Sequence, residues 1–164
     1  MDNFLQQFCQ QLINGVSLGS IYALIALGYT MIYGIIKLIN FAHGDIYMIG
    51  AYFGFFATTQ LGVGFIPAII IAMAGAAIVG IIIERIAYRP MRNAPRIAIL
   101  ITAIGVSFFL EYGMILLVSP QPRTFPAVFA PTVYHMGPLV ANSQQLVILI
   151  SALILMVTLS YIVN

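Results

Sequence analysis

Asn40, His43 and Asp45 stand close together in the stretch Ile39-Asn40-Phe41-Ala42-His43-Gly44-Asp45, between two long apolar runs. An amide, an imidazole and a carboxylate are costly to remove from water, so such a group needs a reason to be there. By type they can cap a helix, hold a proton, or line the path of a polar solute. Hydrolysis is the competing chemistry, because Gly15-Val16-Ser17-Leu18-Gly19 matches the G-x-S-x-G nucleophile pattern and His43 and Asp45 supply the other types of a triad. The spacing argues against it. That pattern needs a strained turn between a strand and a helix, whereas here it lies inside an apolar helical run. His43 and Asp45 are two apart and point in different directions on a helix. Metal binding fares no better, with His43 and His135 the only histidines and Cys9 the only cysteine. No metal, cofactor or catalytic residue is expected.

The surroundings of these residues are set by composition. Of 164 residues, 62% are hydrophobic and 6% charged, and the mean hydropathy is +1.08. That is far more apolar surface than a soluble domain carries, and it comes in blocks of near-membrane length. The expectation is an all-α, polytopic membrane bundle of about five spanning helices, a single transmembrane domain over residues 1–164 in a lipid bilayer. A net charge of +2 is too small and too scattered for a nucleic-acid partner.

The elements follow from the apolar blocks. Phe4, Leu5, Phe8 and Leu12 at helical spacing among glutamines predict an interfacial turn or two, and the stretch lacks the basic start of a signal peptide. A first span runs from Leu12 to Ile36, with Gly15, Gly19 and Ala23 as a close-packing stripe. A second, counted from Ile46 to Gln60, would be too short for a bilayer; starting it at Asn40 repairs the length and lets Asn40 cap it. Its small face carries Gly50, Gly54 and Thr58. A turn over Leu61–Pro67 leads to a third span ending at Ile83, with Pro67 suited to its first position and Ala68, Ala72, Ala76 and Gly80 on one face. Arg85, Arg89, Arg92 and Arg96 mark a cytoplasmic loop by the positive-inside rule. Ile97–Val118, interrupted by Glu111, and Leu146–Val163 complete the set. The proline-rich stretch Ser119–Gln145 is expected as an irregular outer loop, its apolar side formed by Phe125, Phe129, Tyr134 and Met136. Counting back from the arginines puts the N-terminus outside and the connection from Lys37 to Asp45 inside.

At this level the polar stretch has two readings. Asn40 caps a helix, Asp45 stabilises its positive end and His43 packs with a satisfied ring; or Asn40, His43, Gly44 and Asp45 shape a substrate pathway or gate. Glu111 is likewise open between a partner helix and a water-filled cavity.

Longer strings carry a resemblance. Gly19-Ser20-Ile21-Tyr22-Ala23-Leu24-Ile25-Ala26-Leu27-Gly28-Tyr29-Thr30, Ile32-Tyr33-Gly34, the stretch Ile39–Asp45, Met48-Ile49-Gly50-Ala51-Tyr52 and Glu84-Arg85-Ile86-Ala87-Tyr88-Arg89-Pro90-Met91-Arg92 together resemble the LivH-type permease of branched-chain amino acid ABC importers. The resemblance implies an importer of leucine, isoleucine and valine in a bacterial or archaeal inner membrane, with this chain half of the pore and Tyr22 joining the pathway residues. It implies a second, LivM-type permease subunit, two cytoplasmic ATPase subunits and an extracytoplasmic amino-acid-binding protein as partners. ATP chemistry would lie in the other chains, in keeping with the lack here of a G-x-x-x-x-G-K-[ST] loop. Permeases of that family continue for about as much chain again, including a cytoplasmic loop that docks on the ATPases. The expectation is therefore that residues 1–164 correspond to the N-terminal half and do not transport alone. A permease for urea or short amides, with its similar Asn-x-Ala-His-Gly string, is the alternative within transport; a truncated, non-transporting membrane remnant is the alternative outside it.

Overall fold

A bilayer interior offers no water to backbone N–H and C=O groups, so membrane-length apolar segments must satisfy themselves as helices. The computed structural model describes residues 2–36, 39–126, 132–136 and 139–163. Its helices are α1 (Asp2–Ile36), α2 (His43–Thr59), α3 (Phe65–Ile83), α4 (Arg96–Val118) and α5 (Ser143–Val163). A π-helical turn, Glu84–Tyr88, continues α3, and an antiparallel hairpin, β1 (Val133–Met136) with β2 (Leu139–Asn142), precedes α5. Phe4–Gly34, Phe65–Tyr88, Arg96–Val118 and Ser143–Tyr161 are long and apolar enough to cross a membrane. The protein is a multi-pass helical membrane protein.

Several boundaries differ from the expectation. The first helix is continuous from Asp2, with no separate interfacial turn. The second begins at His43, not Asn40, and its 17 residues rise only about 25 Å against a hydrocarbon core of about 30 Å. The reason is local: Asn40 to Ala42 form a turn, with the His43 N–H donating to the Asn40 carbonyl at 3.2 Å and the α-helical ladder opening at Ile46 N–H to the Ala42 carbonyl, 3.0 Å. Pro67 is the third residue of α3, behind the N-cap Gly64; its missing N–H belongs there to the first turn, which has no intrahelical acceptor. Residues 84–88 are helical rather than loop because the ladder widens by one residue, the Arg89 N–H reaching the Glu84 carbonyl at 2.7 Å. The fourth and fifth helices start at Arg96 and Ser143, and the stretch expected to be irregular contains the hairpin. Lys37, Phe129, Pro131 and Pro138 lie outside the described residues.

Contacts group the chain into two units, Met1–Met31 with Phe129–Asn164, and Ile32–Val128. In the first, Gln10 acts as a surrogate peptide at the edge of β2: its Nε2 donates to the Val140 carbonyl and its Oε1 accepts from the Val140 N–H, both at 2.8 Å. One turn along α1, Asn14 Oδ1 accepts from Gln145 Nε2 at 2.9 Å. The glutamine-rich start of α1 thus pairs the edge groups of a strand that would otherwise lie open.

In the second unit α2 packs along α3. A Cβ added at Gly50 would lie 3.3 Å from the Ala76 Cβ, and one at Gly54 would lie 3.5 Å from the Ala72 Cβ. Two small faces at i, i+4 spacing let the backbones approach, which is how helices gain contact where lipid is as apolar as the side chains. Gly75, which the four-residue repeat passes over, receives the ring of Phe53. At Gly15, Gly19 and Gly80, by contrast, an added Cβ would meet no atom of the described residues within 4 Å. Most large apolar side chains point outward, Leu116 and Leu117 being 86% and 83% exposed, as lipid-facing residues should.

Gly50→Leu in the full-length protein is expected to cost about 1–3 kcal/mol through overpacking and to lower Tm in detergent or nanodiscs. Gly15→Leu is expected to stay within about 0.5 kcal/mol of the parent. Equal Tm losses would mean that the α2–α3 approach is not what holds this unit.

Candidate functional site

The polar stretch is assembled from three elements of the second unit. Asn40 sits in the turn before α2, and its Oδ1 accepts two hydrogen bonds, from the Ala42 N–H at 3.1 Å and from the Tyr88 hydroxyl at 2.5 Å. The amide therefore organises the start of α2 and ties it to the π-helical turn. Five residues on, in the first turn of α2, Asp45 Oδ2 accepts from the Ser107 hydroxyl of α4 at 2.5 Å. A carboxylate in the first turn also meets the positive end of its helix. His43 is half-buried and Ala42 fully buried, whereas Phe41 and Gly44 are exposed, with open space beside Gly44.

Position explains the choice of residues. Thr102 and Ser107 are the only hydroxyls in the apolar run from Ile97 to Leu110. Thr102 bonds back to the Ala98 carbonyl of its own helix at 2.9 Å, as Thr does when nothing else is in reach. Ser107 instead reaches across to Asp45. Tyr88 ends the apolar run of α3 and its extension, where an aromatic body with a polar tip sits well. Neither Tyr88 nor Ser107 stands out in the sequence as a partner of the polar stretch. The available signals were an isolated hydroxyl in an apolar helix and a tyrosine at the end of another, both of which acquire meaning only from a non-local neighbour.

The remaining expected residues are dispersed. Tyr22 lies exposed on α1, in the other unit. Ser17 is buried within α1, in continuous helix rather than at the strand-to-helix turn that a nucleophile elbow demands. Arg85, Arg89, Arg92 and Arg96 are exposed along the π-helical turn and the connection to α4. Arg92 pairs with Glu84 at 3.2 Å, an exposed contact worth little to stability. Glu111 is exposed on α4. Among the described residues no group of three or more His, Cys, Asp or Glu side chains could hold a metal ion.

What the arrangement does is mechanical. The Asn40–Tyr88 and Asp45–Ser107 contacts fasten one end of α2 to two neighbouring elements through polar groups at the edge of an apolar bundle.

The model for the family described as "Branched-chain amino acid transport system / permease component" matches residues 11–164. The chain is 46% identical over 132 residues to the high-affinity branched-chain amino acid transport system permease protein BraD of Pseudomonas aeruginosa, covering 76% of this chain and 43% of that protein. It is 50% identical over 134 residues to the permease protein LivH of Salmonella typhimurium and 48% identical over 134 residues to LivH of Escherichia coli K12, in each case covering 74% of this chain and 42% of the relative. The chain thus spans less than half the length of the curated relatives it matches. No solved structure matches it. The match over nearly the whole of the described helices, through the polar stretch and the arginine connection alike, places this chain in the branched-chain amino acid transport permease family.

Proposed function

We propose that this chain forms part of the translocation pore of an ATP-driven importer of branched-chain amino acids in a bacterial or archaeal inner membrane. The observation that carries the reading is the pair of hydrogen bonds, Tyr88 to Asn40 and Ser107 to Asp45, that hold polar groups at the start of a helix in an otherwise apolar bundle. The names of its relatives supply the substrate class. In this reading Asn40, His43, Gly44 and Asp45 shape a gate at one end of the path, and Tyr22 is a further residue of the pathway.

The partners are a second, LivM-type permease subunit, two cytoplasmic ATPase subunits and a soluble amino-acid-binding protein on the outer side. Gly15 and Gly19, open on α1, offer a close-packing stripe to such a permease partner. Arg85, Arg89, Arg92 and Arg96 face the cytoplasm by the positive-inside rule. ATP hydrolysis belongs to the other subunits, and this chain is not itself an enzyme.

The reading is tested by uptake of radiolabelled leucine into cells carrying the full-length protein with its partner subunits. Asp45→Ala is expected to lower uptake at least about fivefold at unchanged membrane abundance, since it removes the acceptor of the half-buried Ser107 hydroxyl. His43→Ala is expected to reduce uptake as well. Unchanged uptake in both would remove the gate. Lower abundance with normal uptake per molecule would leave Asp45 as a helix-stabilising residue only. Labelled urea accumulating in place of leucine would overturn the substrate class. Tyr88→Phe deletes one neutral hydrogen bond and is expected to slow uptake by about fivefold, with the protein still inserted; a rate equal to the parent's would separate the π-helical turn from gating.

A further inference from the structure

Beyond α4 the chain turns back on itself. Ser119 takes φ 93°, a left-handed value uncommon for a residue with a side chain, while its N–H bonds the Ile115 carbonyl at 3.0 Å. The reversal returns Arg123 to the end of α4. There its guanidinium donates to the Val118 carbonyl at 2.9 Å and lies 5.9 Å from the centre of the Phe55 ring on α2. Phe125 meets the same ring edge-on, with centroids 6.1 Å apart.

These residues stand at one end of an open cavity of about 310 Å³ lined by Tyr47, Met48, Tyr52, Phe55, Arg123 and Phe125, with Arg123 and Phe125 exposed. From Phe55 to Tyr47 the wall runs two turns down α2, about 12 Å, toward the first turn that carries Asp45. A second cavity of equal size, on the α3 side of α2, is lined almost wholly by apolar groups, among them Gly50, Gly54, Ala68 and Ala72. Only the first has a charge to offer.

Arg123 has one of its five N–H donors committed to Val118. Among the described residues no carboxylate pairs with it; Arg92 with Glu84 is the ion pair found there. A planar guanidinium matches a carboxylate bidentately, and an aromatic wall accepts an aliphatic side chain. The volume falls at the low end of the roughly 300–1,000 Å³ typical of ligand cavities, a size suited to a small solute. We propose that Arg123 and the aromatic wall of Tyr47, Tyr52, Phe55 and Phe125 form a binding site for a free amino acid with an aliphatic side chain, its carboxylate on Arg123. The site rests on the importer reading for its substrate, and on its own geometry for the carboxylate contact.

The test uses the complete importer, with the full-length protein, in nanodiscs of zwitterionic lipid and without the soluble binding protein. Equilibrium binding of radiolabelled L-leucine is expected to be saturable and to be displaced by 4-methylpentanoate, which keeps the carboxylate and branched chain. 3-Methylbutylamine, which lacks the carboxylate, is expected not to compete. Arg123→Ala is expected to weaken leucine about 10- to 100-fold, the loss of a charge-assisted pair, and Arg123→Lys to recover part of it. Equal leucine affinity in the parent and Arg123→Ala, or equal competition by the amine, would overturn the site; the competition arm needs no variant and so does not depend on how Arg123→Ala folds. Native mass spectrometry showing that Arg123→Ala releases bound phosphatidylglycerol, with leucine affinity unchanged, would assign the arginine to a lipid phosphate and also overturn it. Binding-protein-dependent leucine uptake by the parent separates the two levels: if it is absent the importer reading fails, and if it is present with an unaltered KM and unaltered binding in Arg123→Ala only this site fails.

Discussion

A carboxylate and an amide at the edge of an apolar bundle must find their partners inside the protein, and that constraint organises the second unit. Asp45 takes Ser107 from α4, and Asn40 takes Tyr88 from the π-helical turn. Half-buried polar groups beside apolar helices lose part of their hydration, and leaving one unmet costs more than a neutral hydrogen bond returns in water. The two contacts therefore fix which elements the start of α2 meets. The π-helical widening at Glu84–Tyr88 has a role in the same scheme: one extra residue in the turn re-aims the side chains beyond it, and Tyr88 is the residue that reaches Asn40.

Packing supplies the rest. Gly50 and Gly54 against Ala72 and Ala76 bring two backbones together where no hydrophobic drive separates helix from lipid. In the first unit the work is done by polar side chains instead, Gln10 completing the edge of β2 and Asn14 receiving Gln145. One unit is thus held chiefly by close approach of small residues, the other chiefly by amide hydrogen bonds beyond the apolar run.

The spanning helices were legible because a 20-residue apolar run has few other outcomes in a bilayer. Their starts were less so, since they depend on single hydrogen bonds. The Asn40 carbonyl closes a turn rather than a helical ring, which moves the start of α2 to His43. The hairpin was hidden by the prolines of the stretch Ser119–Gln145 around it, which in the sequence argue for irregular backbone. The small faces of α2 and α3 could be read from four-residue spacing, yet the same spacing at Gly15, Gly19 and Gly80 faces open space, because a periodicity names a smooth face without naming the neighbour that covers it. Asn40 and Asp45 stood out as polar residues in an apolar chain. Tyr88 and Ser107 did not, since the contact that gives each its meaning is 48 and 62 residues away. Family membership supplies what neither periodicity nor geometry can, the relatives' names on which the proposed substrate class rests.

The most direct measurement is a double-mutant cycle on Asp45→Ala and Ser107→Ala in the full-length protein, read as unfolding free energy in lipid. If the hydrogen bond fastens α2 to α4, the pair should couple by about 0.6–1.7 kcal/mol, the range found for side-chain hydrogen bonds between membrane helices. Additivity within about 0.3 kcal/mol would contradict the account, leaving the polar groups at the head of α2 as separate residues rather than the fastening on which the unit is built.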